Sequence, residues 1–277
     1  MTIMKPYITL LRPVNFIITA LSIFVACLLA GGTREQGIFM IFAAFSGAFI
    51  GAGGMVINDI LDIEIDRINK PERPLPSGAV SRYDALMFFG ALIGAGMIMA
   101  AYTTKAAFII AFIAVPLIVL YSKVFKGTVL MGNMLVGALT GLAFIFGGAA
   151  VGNIRQSVMP ALFAFLINVG REIVKDMEDV EGDAMNGIRT LPIVHGMKNA
   201  AILASMFLIF TIVSSVIPFV SGLYGPRYFV LVNIGVNLVL VYVLIGLWRD
   251  RSVQNLHRLA TILKWDMLVG LLAIYLG

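Results

Sequence analysis

Along this chain the apolar residues come in long runs and the charged ones in clumps. Windows almost free of charge recur at about 13–30, 37–57, 84–103, 106–121, 128–151, 158–176, 199–220, 228–248 and 259–276. Most approach the ~20 residues a helix needs to cross roughly 30 Å of hydrocarbon. The pattern predicts an all-α, multi-pass membrane protein with nine transmembrane helices, read as a single domain over 1–277. The sixth window is free of charge only over 158–170, and the fourth is short and carries Pro116, which predicts a kink. An odd number of spans puts the termini on opposite sides. The first window lacks a small-residue cleavage signal and reads as a retained span.

Composition fits this reading. Of 277 residues, 60% are hydrophobic and only 13% charged, and the mean hydropathy is +0.98. A water-soluble domain has no way to hide so much apolar surface. The lone cysteine, Cys27, sits in an apolar window; it forms no disulfide framework and reads as a packing residue.

Charge then orients the spans. With the N-terminus inside, sixteen of the twenty Lys and Arg fall on the inner face, and only Arg34, Lys105, Arg155 and Arg227 fall outside. That bias predicts a cytoplasmic N-terminus and an external C-terminus. The net charge of +5 is accounted for by topology and by attraction to anionic membrane lipid, so nucleic acid is not expected as a partner. Fourteen of the fifteen acids share the inner face, Glu35 being the exception. Acids carry little topogenic weight, so chemistry confined to one face is the better explanation.

The acids are also patterned. "NDILDIEIDRINKPERPLPSG", residues 58–78, follows the second window, and "KDMEDVEGDAMNGIRTLP", residues 175–192, follows the sixth. At an offset of 117, Asp59 meets Asp176, Asp62 meets Asp179, Glu64 meets Glu181, Asp66 meets Asp183 and Asn69 meets Asn186. One residue of slippage pairs "RPLP" with "RTLP". Four spans separate the motifs, an even number, so a parallel internal repeat brings both to the same membrane face.

Within each motif the acids stand at i, i+3 and i+7, a spacing that places them on one face of a continuous helix. Three like charges on one face repel unless a cation lies between them. Oxygen ligands from two such helices suit Mg²⁺, which keeps waters and bridges carboxylates to phosphate oxygens. Arg67, Lys70, Arg73, Lys123, Lys126, Arg171, Lys175 and Arg189 fall in or beside the same loops. A diphosphate held by metal on one side needs such donors on the other. The glycine pairs Gly47/Gly51, Gly90/Gly94 and Gly137/Gly141 predict close helix packing. His195 and His257 are isolated, and no phosphate-binding glycine loop or Ser-His-Asp set is present.

These motifs resemble those of the UbiA-type intramembrane prenyltransferase superfamily. The likeness extends over the chain: nine helices, acidic motifs after the second and sixth, and Arg12-Pro13 opening the first. It implies a central cavity, with Asp62, Asp66, Asp179 and Asp183 catalytic. It also implies metal ligation by Asn58, Asp59, Asp62, Asp66, Asp176, Asp179 and Asp183. Lys126, after Tyr121, matches a basic position that helps hold diphosphate, and Arg12 joins the groups expected near substrate phosphate. Asn15, counted with that set, stands where a common member has glycine, a departure on the acceptor side.

The wording of both motifs looks most like the digeranylgeranylglyceryl phosphate synthase branch of archaeal ether-lipid synthesis. That branch implies Mg²⁺-dependent geranylgeranyl transfer from its diphosphate, the polyprenyl donor, to the hydroxyl of a lipid phosphate acceptor. Aromatic acids, quinone precursors and tetrapyrroles are the acceptors of other branches. A secondary transporter is the reading from a different class; it places its acids near the bilayer midplane, whereas these cluster at the ends of spans. A CDP-alcohol phosphotransferase is set aside because Ile63, not Gly, follows Asp62.

Overall fold

The computed structural model describes residues 4–277, the side chain of Asn69 excepted. The described residues form helices throughout, as a chain in lipid must if every backbone N–H and C=O is to be paired within its own segment. Helix α1 (Met4–Leu11) is followed by α2 (Pro13–Leu29), α3 (Gly37–Leu61), α4 (Ile63–Asn69), α5 (Arg82–Ala101) and α6 (Lys105–Leu120). Then come α7 (Met131–Ala150), α8 (Ile154–Glu178), α9 (Val180–Met185), α10 (Leu191–Val220), α11 (Pro226–Leu231), α12 (Leu238–Arg249) and α13 (Val253–Leu276). Among the described residues, eight helical stretches are long and apolar enough to cross a membrane, and the bent pair α1–α2 raises the number to nine.

Sequence chemistry sets where these helices begin and bend. Ser81, Thr104 and Ser252 cap α5, α6 and α13, each side chain accepting a hydrogen bond from an N–H in the first turn. Helix α6 continues through Pro116 and passes into a π-helical turn at Tyr121–Phe125. Gly196, with φ 84°, interrupts α10 near its start, close to where the seventh apolar window begins.

The chain divides into two compact units, one of residues up to 124 with 142–158, the other of 125–141 with 159–277. In the first, α2, α3 and the later half of α7 bury Ile23, Cys27, Ala43, Ile50 and Phe146 in one cluster. Cys27 is a fully buried free thiol, the packing role expected of it. A second cluster joins α1, α3 and the segment after α4 through Leu10, Val56, Ile60, Leu75 and Val80. It holds the end of α3, and with it the first acidic motif, against α1. In the second unit Leu208, Leu240, Leu256 and Leu263 are fully buried. Tyr228 donates its hydroxyl to the carbonyl of Ser215 at 2.8 Å, and Trp248 its indole N–H to Ser205 Oγ at 3.0 Å.

One of the three glycine pairs does what the spacing predicts at both positions, and a second does so at Gly47 but not at Gly51. A Cβ on Gly47 would collide with Ile23, one on Gly137 would lie 3.0 Å from the Phe165 carbonyl oxygen, and one on Gly141 would lie 2.8 Å from that of Ala161. The third pair does not: Gly90 and Gly94 have nothing within 4 Å of where a Cβ would stand. Spacing supplies the room for close approach but not the neighbour. Gly141→Ala is therefore expected to destabilise by about 1–3 kcal/mol, because backbone on both sides has to shift. Gly90→Ala is expected to stay within about 0.5 kcal/mol. Thermal unfolding of the two variants in the same detergent separates them.

Candidate active site

The first motif straddles the junction of α3 and α4, and the second straddles that of α8 and α9. The two junctions share one geometry. Asp62 lies between its helices at φ −91°, ψ 5°, and Asp179 between its own at φ −90°, ψ 8°. The two acidic motifs thus match in backbone torsions as well as in residue types. The expectation of one continuous acidic face is corrected here: each helix breaks at its second acid, so the third acid, Asp66 or Asp183, belongs to a separate short helix. The backbone pairing is nonetheless kept across the break. Asp66 N–H donates to the Asp62 carbonyl at 2.8 Å, and Asp183 N–H to that of Asp179 at 2.9 Å.

In the first unit, Asp59 and Asp66 are both buried at 5% exposure, and both meet arginine. Arg12 Nη2 donates to Asp59 Oδ1 at 2.5 Å. Arg73 Nη1 bridges Asp66 Oδ2 at 2.6 Å and Asp59 Oδ1 at 3.3 Å. Arg12 lies at the bend between α1 and α2 with φ 50°, ψ 71°, the one non-glycine residue of positive φ among those described. Such a conformation costs on the order of 1–3 kcal/mol and persists where the surroundings impose it. Here Pro13 disfavours the right-handed region for Arg12, and the ion pair with Asp59 holds its side chain.

Asn58 completes this half. Its amide donates to Asp62 Oδ2 at 2.8 Å, and its Oδ1 is buried without a hydrogen-bond partner. A buried oxygen with no donor carries a desolvation cost that a hard cation beside Asp62 would remove. Arg67 instead pairs with Glu64 at 2.8 Å, both well exposed, and such a pair is nearly free to break in favour of a phosphate. Lys70 and Lys123 are exposed. Asn15 Nδ2 contacts Met55 Sδ at 3.4 Å.

In the second unit, Asp176 accepts from Asn133 Nδ2 at 2.8 Å. Asp179 is exposed and Asp183 half-buried. Burial pushes the Asp183 carboxyl above the usual carboxylate range; the charge of Asp179 adds to the rise, while Lys126 and Lys175 oppose it. These lysines therefore lie close enough to act on Asp183. The loop bearing Lys126 is tied to the second motif through Gly127, at φ 77°, whose carbonyl accepts from the Arg189 N–H at 3.1 Å. A Cβ on Gly127 would fall 2.5 Å from Ile188, so that approach requires glycine. Glu172 pairs with Arg171 at 2.6 Å and with Lys175 at 3.7 Å. The Nε of Arg171 and the Oγ1 of Thr190 are buried without partners.

Three groups have partners that the sequence pattern does not show. Asn133 is a polar residue, 6% exposed, in an otherwise apolar window; only its contact with Asp176 gives it meaning. Glu172 gathers two bases, and His257 is not isolated, since its Nδ1 meets Glu178 Oε1 at 2.7 Å. Asp266, counted with the inner-face acids, lies buried inside α13 with neither carboxylate oxygen hydrogen-bonded.

Among the described residues, no three His, Cys, Asp or Glu side chains gather around one point to hold a metal by themselves. Mg²⁺ takes one or two carboxylates from a protein and fills its octahedron with water and substrate phosphate oxygens. In the first unit the carboxylates of Asp62 and Asp66 with the oxygen of Asn58 that has no partner among the described residues, and in the second unit Asp179 with Asp183, each fit it on chemistry.

Comparison with known proteins places these motifs in a wider setting. The model of the UbiA prenyltransferase family matches residues 19–267. The digeranylgeranylglyceryl phosphate synthase of Thermococcus kodakarensis is 37% identical over 272 residues, covering 97% of this chain and 96% of that protein. The one of Methanopyrus kandleri is 38% identical over 273 residues, covering 98% of each. A solved structure concerned with digeranylgeranylglyceryl phosphate synthase in membranes superposes with a TM-score of 0.88 at 34% identity, covering 100% of this chain and 99% of that one. A UbiA homologue from Archaeoglobus fulgidus, solved with GPP and Mg²⁺, shares the fold at a TM-score of 0.73 and 20% identity over 98% of this chain and 99% of its own.

Proposed function

The chain belongs to the UbiA prenyltransferase family, and from that membership we propose that it transfers a geranylgeranyl group from geranylgeranyl diphosphate to the hydroxyl of geranylgeranylglyceryl phosphate. The observation that carries the reading is identity of 37–38% with digeranylgeranylglyceryl phosphate synthases along almost the full chain. It is an enzyme of isoprenoid ether-lipid biosynthesis, working on lipid substrates in the membrane it spans.

Asn58, Asp62, Asp66, Asp179 and Asp183 are the residues that would hold Mg²⁺ against the donor's diphosphate. When bound, the ion supplies positive charge to the diphosphate oxygens and eases departure of the leaving group. Lys126 and Lys175, which already act on Asp183, supply cationic donors for the same anion. Stabilising charge that develops as the allylic C–O bond breaks is the largest effect available to such a site. Apolar helix faces exclude water that would otherwise capture the allylic carbon, leaving the acceptor hydroxyl as the nucleophile, whose proton leaves with the released diphosphate as the new ether C–O bond forms.

The reading is tested with purified protein, labelled geranylgeranyl diphosphate, geranylgeranylglyceryl phosphate and Mg²⁺. The label is expected in a doubly prenylated glyceryl phosphate, and chelation is expected to stop the reaction. Release of pyrophosphate without a second ether bond would overturn it.

The sixteen-to-four split of basic residues supports a cytoplasmic N-terminus, cytoplasmic acidic motifs and an external C-terminus. In a protein whose Cys27 has been replaced, single cysteines at Lys70 and Lys198 are expected to react with an impermeant reagent only from the cytoplasmic side. Labelling of either from outside reverses the orientation.

A further inference from the structure

We propose that Asp59, the leading acid of the first motif, is a positioning residue that acts through Arg12 and Arg73, presenting both guanidinium groups to the diphosphate of the prenyl donor. The inference rests on the proposed prenyl transfer and takes Asp59 out of the set of metal ligands.

The geometry separates Asp59 from Asp62, while Asp66 shares its burial and its contact with Arg73. Asp59 precedes the break at Asp62 and is buried within α3. One of its oxygens, Oδ1, takes both arginines, at 2.5 and 3.3 Å. Those two contacts use one terminal nitrogen of each guanidinium, Nη2 of Arg12 and Nη1 of Arg73. A guanidinium carries five N–H donors in a planar fork, so a contact at one nitrogen restricts the group and leaves other donors for an anion. Half the work of orienting an anion-binding pair is then done before the anion arrives.

Arg12 gives an independent sign. It is held in the left-handed region, where an ordinary residue is rarely found, at the bend between α1 and α2. The observed bend is the conformation in which the Arg12 side chain reaches Asp59. Arg73 arrives from the opposite direction in sequence, fourteen residues after Asp59, and also grips Asp66. Asp59 is therefore the point at which the N-terminal helices and the segment after α4 are joined to the motif.

The repeat supports the same division of labour. Asp176, the counterpart of Asp59 at the offset of 117, likewise turns to a polar side chain outside its own motif, Asn133. In both motifs the leading acid engages a group from a different segment, while the second acid sits at the helix break. The two roles are thus distinguished twice in one chain.

The test compares Asp59→Asn, Asp59→Glu, Arg12→Gln and the Asp59→Asn/Arg12→Gln double variant with the parent protein. Calorimetric binding of inorganic pyrophosphate at fixed Mg²⁺ and the Mg²⁺ concentration giving half-maximal turnover are measured for each. Asp59→Asn is expected to weaken pyrophosphate binding and raise the donor KM roughly 10-fold, the lower end for charge-assisted contacts, because the arginines stay but lose their aim. The half-saturating Mg²⁺ concentration is expected to hold. Asp59→Glu should recover most of the affinity, and the double variant should lose less than the sum of the two single losses, its excess over Arg12→Gln being the part of the Asp59 effect that passes through Arg73. A rise in half-saturating Mg²⁺ as large as that of Asp62→Asn would make Asp59 a ligand and overturn the proposal, as would additive losses in the double variant. Should Asp59→Asn fail to fold, Arg12→Gly with added guanidinium decides: restored pyrophosphate binding is expected, and no restoration contradicts it. Failure of the parent protein to bind pyrophosphate at all would instead count against the prenyl-transfer reading itself.

Discussion

Asp62→Asn and Asp179→Asn are each expected to lower the turnover of prenyl transfer by about 10²-fold or more, the loss that follows removal of one electrostatic stabiliser of a transition state. Asparagine keeps the shape and removes the charge. At Asp62 it also keeps an oxygen able to accept from the Asn58 amide, now 2.8 Å from the carboxylate, so a large loss reports charge and not collapse of the junction. The expectation is the same for both because the two residues occupy the same backbone geometry in the two halves of the repeat. The donor KM and the Mg²⁺ requirement should rise together in each variant. Near-normal turnover in both variants would reject a site built from two motifs, and normal turnover in one alone would assign the metal to the other.

Arg171→Gln is expected to raise the KM for the lipid phosphate acceptor while leaving that for the donor nearly unchanged. A lipid phosphate adds a second anion to the diphosphate, so the enzyme needs cations beyond those that hold the donor. Arg12 and Arg73 are committed to Asp59 and Asp66, and Arg67, in an exposed and easily broken pair with Glu64, belongs to the first motif. Arg171 has a different standing. It lies within α8, holds Glu172 through one nitrogen, and keeps a buried Nε with no partner. An arginine inside a span is costly unless it serves a polar ligand. A charge-assisted contact of roughly 1.5–3 kcal/mol corresponds to about a 10- to 150-fold loss of acceptor affinity. Steady-state kinetics with each substrate varied in turn reads the split; an equal rise in both KM values would return Arg171 to the donor side.

The membrane class and the acidic motifs were legible in the sequence because both are repetitive signals. Apolar runs predict spans through their length alone, and the observed helices track most of the windows to within a few residues. The bend at Arg12 was not, although Pro13 marked a probable boundary, because α1 is too short and too polar at Lys5 to register as a window. The helix breaks at Asp62 and Asp179 were hidden for another reason. The spacing i, i+3, i+7 describes a face only while the helix stays regular, and composition does not report a local change of ψ from helical values to near zero. The third failure is one of partners. Gly90/Gly94 has the same spacing as Gly137/Gly141 but no neighbour to approach among the described residues, and nothing in the spacing links Asn133 to Asp176, whose carboxylate it meets. Pattern identifies what a residue is able to do; contact decides whether it does so.

The acceptor is the point on which the account turns, and a competition measures it directly. Purified protein is given labelled geranylgeranyl diphosphate, Mg²⁺ and equal concentrations of geranylgeranylglyceryl phosphate, its dephosphorylated form and hydroxybenzoate, and the labelled products are separated. The account predicts that nearly all the label enters the doubly prenylated glyceryl phosphate. Label entering the aromatic acid, with none in the glyceryl phosphate, would contradict the ether-lipid assignment and leave the family membership alone standing.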